Sequence, residues 1–183
     1  MAVITEIFKE LVSSHSVGWM IGQPFGAVAI VLGFITYQMR TQRSLILVQS
    51  TVIVAFCIHY FLIGAYSGMA INAVCLIRNA VYTRRLKTGA RGKTVPIIFV
   101  LIQCAMCVLT WEAWYSVLVM AGIGIHTYFL SLDDPQRLKK SIFVTSPMVL
   151  AYDVLVCSIG GVIFESVAII SSFIGVMKSR KEK

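Results

Sequence analysis

Hydrophobic positions in this chain fall into long blocks, and the polar residues between them are few and short. Seven windows, 18–38, 44–66, 67–83, 94–111, 113–132, 141–157 and 160–177, read as helices near the ~20 residues that a lipid-spanning segment needs. Windows two and three run together, as do six and seven. Each joint run is too long for one helix, so turns are predicted at Tyr66-Ser67-Gly68 and at Ser158-Ile159-Gly160-Gly161, where glycine supplies the bend. Of the charged residues, only Arg78, Asp153 and Glu165 lie inside a window. That sorting assigns the windows to lipid, because a charge at mid-bilayer costs about 3 kcal/mol on insertion scales.

Composition agrees. Hydrophobic residues make up 58% of the 183, charged residues 13%, and the mean hydropathy is +0.84. Soluble domains run nearer a quarter charged, so a water-soluble or disordered chain is excluded. The net charge of +8 raises nucleic acid as a partner, but its distribution argues otherwise. Arg40 and Arg43 follow the first window. Arg84, Arg85, Lys87, Arg91 and Lys93 follow the third, Arg137, Lys139 and Lys140 the fifth, and Lys178, Arg180, Lys181 and Lys183 the seventh. With seven crossings all of these fall on one face, which the positive-inside rule makes cytoplasmic, with the amino terminus outside. Trp19, Trp111 and Trp114 then lie at the outer boundary, where amphipathic rings prefer to sit. The basicity is explained by topology and needs no nucleic acid.

Residues 1–17 carry Ile4, Ile7, Phe8, Leu11 and Val12 at helical spacing, which reads as a surface amphipathic helix or a frayed end. They lack the basic start of a signal peptide. Cys57, Cys75, Cys104, Cys107 and Cys157 all lie in apolar runs and form no secreted disulfide pattern.

A shift of 93 residues lays His59-Tyr60-Phe61-Leu62 on Tyr152-Asp153-Val154-Leu155, Gly68 on Gly161, Asn72 on Glu165 and Arg85 on Lys178. The shared order is a long span, a glycine turn, a span with one polar residue four positions on, and a basic end. The expected plan is an all-α integral membrane protein of seven transmembrane helices in a 3-1-3 arrangement: a three-helix repeat at 18–87, a basic loop and linker helix at 88–112, a second repeat at 113–177 and a basic tail at 178–183. Parallel repeats of this kind place a transporter's site between them.

His59 and Asp153 stand just before the outer turns, and Asn72 and Glu165 lie roughly 6 Å beyond them at 1.5 Å per residue. Arg78 is near 15 Å deep by the same measure, with Asn79 on nearly the face of Asn72. Such groups bind a polar solute, carry protons, or hold helices together. Two buried acids repel unless protonated or partnered, which favours function for Asp153 and Glu165. Arg78 is expected to pair with one of these carboxylates or with an anionic group on a substrate. Pro24 and Pro147 are candidate hinges. Gln23, Gln49, Gln103 and His126 read as interhelical hydrogen bonders. No cofactor motif, metal-ligand spacing or nucleophile–base spacing stands out, so an enzyme is not expected.

The run Gly64-Ala65-Tyr66-Ser67-Gly68 with Asn72 and Arg78-Asn79, followed by Ser158-Ile159-Gly160-Gly161 with Glu165, resembles the YgjV family of bacterial inner membrane proteins, from about Gly18 to Lys178. That resemblance implies an inner-membrane location and no particular activity. More remotely the plan resembles the SWEET, PQ-loop and PnuC-like carriers. In SWEET carriers an asparagine on the third helix of each repeat contacts substrate; Asn72 matches it, whereas Glu165 stands at the second position. That departure argues against sugar and toward a charged or proton-coupled solute. The expected function is small-solute transport by alternating access, with a non-transporting receptor or interaction protein as the alternative.

Overall fold

The computed structural model describes residues 16–39, 41–89, 92–132 and 134–181. The amphipathic reading of residues 1–17 therefore lies almost wholly outside the described residues. Among the described residues there are seven helices and no strands: α1 (Val17–Gln38), α2 (Gln42–Ile63), α3 (Tyr66–Thr88), α4 (Thr94–Leu109), α5 (Ser116–Leu130), α6 (Pro135–Leu155) and α7 (Ile159–Lys181).

Local chemistry sets the ends. Ser16 accepts a hydrogen bond from the Trp19 amide and Thr41 accepts one from Ser44, each satisfying a free amide at a helix start. Gly64 and Gly89 close α2 and α3 at φ 81° and 66°, the left-handed conformation that an unbranched backbone adopts without strain. Helix α6 begins six residues before its predicted window, where the Arg137 amide bonds Asp134 Oδ1. Hydropathy marks the lipid layer, and a capped helix continues past it; α3 and α7 likewise carry basic residues in their last turns.

The predicted turns are shifted. The α2–α3 turn is Gly64-Ala65, and Gly68 lies inside α3, where an added Cβ would sit 2.9 Å from the Tyr152 hydroxyl. Gly160 and Gly161 likewise belong to α7, packed on Gly26 and Asp153. Glycine here admits close neighbours instead of bending the chain. The second turn centres on Cys157, the single described non-glycine residue with positive φ, at 53°. Cys157 stands 93 positions after Gly64. The same shift carries the bounds of α2 to 135–156 and those of α3 to 159–181, against Pro135–Leu155 and Ile159–Lys181.

Neighbours in sequence pack side by side, and α7 returns against α1 to close a ring, with α3 touching α5 and α4 lying on both. Helices α1 and α7 cross at Gly26 and Gly160, small residues that let membrane helices approach closely. Two helices, over Val17–Thr36 and Gln42–Ile63, are long and apolar enough to cross a membrane; α4, α5 and Ile159–Phe173 are apolar over shorter lengths. The outer surface is apolar, with Phe34, Leu101, Val154 and Ile170 more than half exposed, whereas His59, Arg78, Gln103 and Asp153 are buried. A soluble protein has the opposite distribution.

Candidate functional site

Interhelical hydrogen bonds gather the start of α1 and the α2–α3, α4–α5 and α6–α7 connections at one end of the bundle. Trp19 Nε1 donates to the Cys157 carbonyl at 3.0 Å, and Glu112 Oε1 accepts from the Ser67 amide at 2.7 Å. Trp19 is thus buried within this end and is not a membrane-surface anchor, as its position in sequence implied; Trp111 and Trp114 are exposed. At the opposite end Gln42 Nε2 reaches the Leu130 carbonyl, beside the loops where the basic residues cluster.

The first end is closed by a polar network. Tyr60 donates to Asp153 Oδ1 at 2.6 Å across the interior. His59 Nδ1 donates to the Gly22 carbonyl at 2.8 Å, so Nε2 is the acceptor for the Ser158 hydroxyl, also at 2.8 Å. Tyr152 accepts the Gly68 amide at 2.9 Å. Under the 93-residue shift Tyr60 corresponds to Asp153 and His59 to Tyr152. The first pair bonds to itself. His59 reaches the start of α7 and Tyr152 the start of α3, so the second pair makes exchanged contacts. Asp153 Oδ2 is buried without a hydrogen-bond partner.

Below the closure lies a cavity of about 460 Å³, extending from Tyr60, Phe56 and Phe164 to Met39, Thr41 and Gln42 at the α1–α2 turn. Asn72, Arg78 and Glu165 line it; His59, Asn79 and Asp153 do not. The predicted set is therefore divided. His59 and Asp153 build the closure, and Asn79 stands behind Arg78. Pro24 and Pro147 lie inside continuous helices with exposed side chains.

Arg78 is not within ion-pair reach of Asp153 or Glu165 among the described residues. Its Nε and NH2 donate to Asn79 Oδ1 at 3.1 and 2.8 Å, and its NH1 donates to Thr127 Oγ1 at 2.6 Å. The expected pairing with a carboxylate fails because α3 turns the guanidinium toward α5. Gln49 and His126 bond each other at 3.1 Å on the cavity wall, and Gln103 holds Thr127 at 3.1 Å. These three are interhelical bonders, whereas both polar atoms of Gln23 are buried without a partner. Among the described residues no three His, Cys, Asp or Glu side chains are grouped to hold a metal ion.

A family described as bacterial inner membrane protein, Imp-YgjV, matches residues 20–183. The chain belongs to the Imp-YgjV family. No curated protein and no solved structure matches it. An inner-membrane location for this Imp-YgjV protein agrees with the apolar exterior described above.

The residues that sequence reasoning missed are Tyr60, Tyr152, Ser158 and Thr127. For the first two the signal was present, since the 93-residue alignment already set Tyr60 on Asp153 and Tyr152 on His59.

Glu112 lies in the α4–α5 connection. Burial pushes its carboxyl above the usual carboxylate range, against the opposing hydrogen bonds from the Ser67 and Tyr66 amides. The folded protein therefore keeps this proton to a higher pH than the unfolded chain does. Stability from this group is greatest at low pH and falls as pH rises from the ordinary carboxylate range through the folded-state value. Glu112→Gln is expected to flatten that decline in thermal unfolding recorded across pH; an unchanged slope would assign it to another group.

Proposed function

We propose that this inner membrane protein is a seven-span carrier of a small polar solute, working by alternating access between two three-helix repeats. In this reading α1–α3 and α5–α7 are the repeats, α4 is the linker, and an approximate two-fold axis runs between Tyr60 and Asp153. The amino terminus is outside and the basic loops are cytoplasmic. The observation that carries the proposal is the cavity together with its one-sided closure. Asn72 and Glu165, equivalent positions of the two repeats, line one continuous space, while the bonds of Tyr60, His59 and Tyr152 shut the outer end. Support for the repeats comes from the coincident helix bounds, from the shared left-handed turn residue, and from the exchanged contacts of His59 and Tyr152. Midplane sites at repeat interfaces, reached from one side at a time, are how such carriers work.

Transport requires that the outer bonds break as the α1–α2 end closes, a shift between two states of similar free energy. The direct test is solute uptake into proteoliposomes, guided by a thermal-shift screen of ligands on the purified protein. Saturable uptake supports the carrier. Saturable binding with no flux replaces it with the receptor reading. Topology is tested separately by reporter fusions: position 112 is expected outside and positions 88 and 136 inside, and an inside report at 112 overturns the seven-span plan.

A further inference from the structure

Among the described residues, Arg78 is the one buried charged side chain that takes no part in the closure. It is 1% exposed, and it lies in the middle of α3, a helix of 23 residues. Its polar partners, Asn79 and Thr127, are neutral. The Tyr82 ring, 6.0 Å from the guanidinium carbon, adds a weak cation–π contact and no counter-charge. An unpaired cation in a low-dielectric interior is destabilising, and a charged group within a membrane helix points to function.

The surroundings hold this cation in place. Asn79 Nδ2 is anchored to Ser50 of α2 at 3.1 Å. Thr127 of α5 is tied to Gln103 of α4 and donates to the Ile123 carbonyl. Four helices thus fix the orientation of one planar fork. A guanidinium carries five N–H donors, and three make the contacts named here; the other two take no part in them, at a residue that borders the cavity with only a sliver of its surface. The rest of the wall is mostly apolar, with Val52, Ile53, Phe56, Val149 and Phe164 toward the closed end, and Glu165 is its one carboxylate.

We propose that the cavity binds a small organic anion, with its carboxylate on the other two donors of Arg78 and its apolar body against Val52, Phe56 and Phe164. Arginine suits this role because its planar fork matches two carboxylate oxygens at once. The volume of about 460 Å³ lies within the range of sites for small molecules. Glu165 is left to hydrogen-bond a polar group at the far end of the ligand. The proposal deepens the carrier reading by naming the charge of its solute, but it concerns binding, so the two fail separately.

The experiment measures thermal stabilisation and calorimetric binding on the full-length protein purified in detergent. The probes are benzoate, benzamide and benzylammonium, matched in shape and different in charge, with acetate, butyrate and phenylpropionate to vary the apolar body. Benzoate is expected to bind saturably and at least tenfold more tightly than benzamide or benzylammonium, with affinity rising along the carboxylate series. Arg78→Gln is expected to abolish that preference, and Arg78→Lys to restore part of it. Where Arg78→Gln does not fold, the comparison of the three charges on the unaltered protein decides. Equal or tighter binding of benzamide or benzylammonium overturns the proposal, as does unchanged benzoate affinity in Arg78→Gln or the absence of saturable binding by any carboxylate. Anion binding without flux leaves it standing while removing the carrier; uptake confined to neutral or cationic solutes does the reverse.

Discussion

Gly160→Val is expected to yield no folded protein, and Gly160→Ala a protein destabilised by about 1–3 kcal/mol, the usual range for overpacking. A Cβ at Gly160 would lie 2.5 Å from the Gly26 Cα and 2.9 Å from its carbonyl carbon. The obstacle is backbone, which cannot rotate away as a side chain does, so the two helices must part. Separation also strains the His59 bridge between the Gly22 carbonyl and Ser158 and the bond from Trp19 to the Cys157 carbonyl. The measurement is thermal unfolding of the detergent-purified variants. Gly64→Ala is the contrast: nothing lies within 4 Å of that added carbon, and the penalty is backbone strain alone, about 1–2 kcal/mol at a left-handed position. If Gly160→Ala melts with the unaltered protein, the α1–α7 crossing is looser than described.

The second large effect is on the transport proposed above. Glu165→Gln keeps size and hydrogen-bonding capacity and removes the ionisable oxygen, so uptake into proteoliposomes is expected to fall to background. Stability is expected to change little, because Glu165 lies on the cavity wall and forms no ion pair among the described residues. Loss of uptake with an unchanged melting curve assigns Glu165 to the transport step. Uptake at the unaltered rate removes Glu165 from the site and leaves Asn72 as the polar contact at that depth.

Much of the helical layout was legible because lipid sorts residues strictly. Blocks of apolar residues long enough to span a bilayer can hardly be anything but helices, since in lipid the backbone must satisfy its own hydrogen bonds. Turns were less legible. Glycine serves both as a left-handed turn residue and as a gap for a neighbouring side chain, and Gly64 and Gly68 differ only in what stands opposite them. For the same reason Cys157 gave no sign of being a turn residue until its equivalence to Gly64 was set beside its backbone angle.

The residues of the site were found as types, but not their partners or their places on the cavity wall. Buried His, Asp, Glu, Asn and Arg were conspicuous because each is costly in lipid. Which of them meet depends on helix rotation, and a residue-to-residue step of about 100° cannot be fixed when apolar side chains surround the whole helix. Asp153 therefore found Tyr60, and Arg78 turned to Thr127 and away from either carboxylate. By itself the chain determined that it is helical and belongs in a membrane, and where its charges stand, because hydropathy and charge are local properties. The tertiary structure alone decided which polar groups close one end and which line the cavity, because that depends on how far each helix is turned about its own axis.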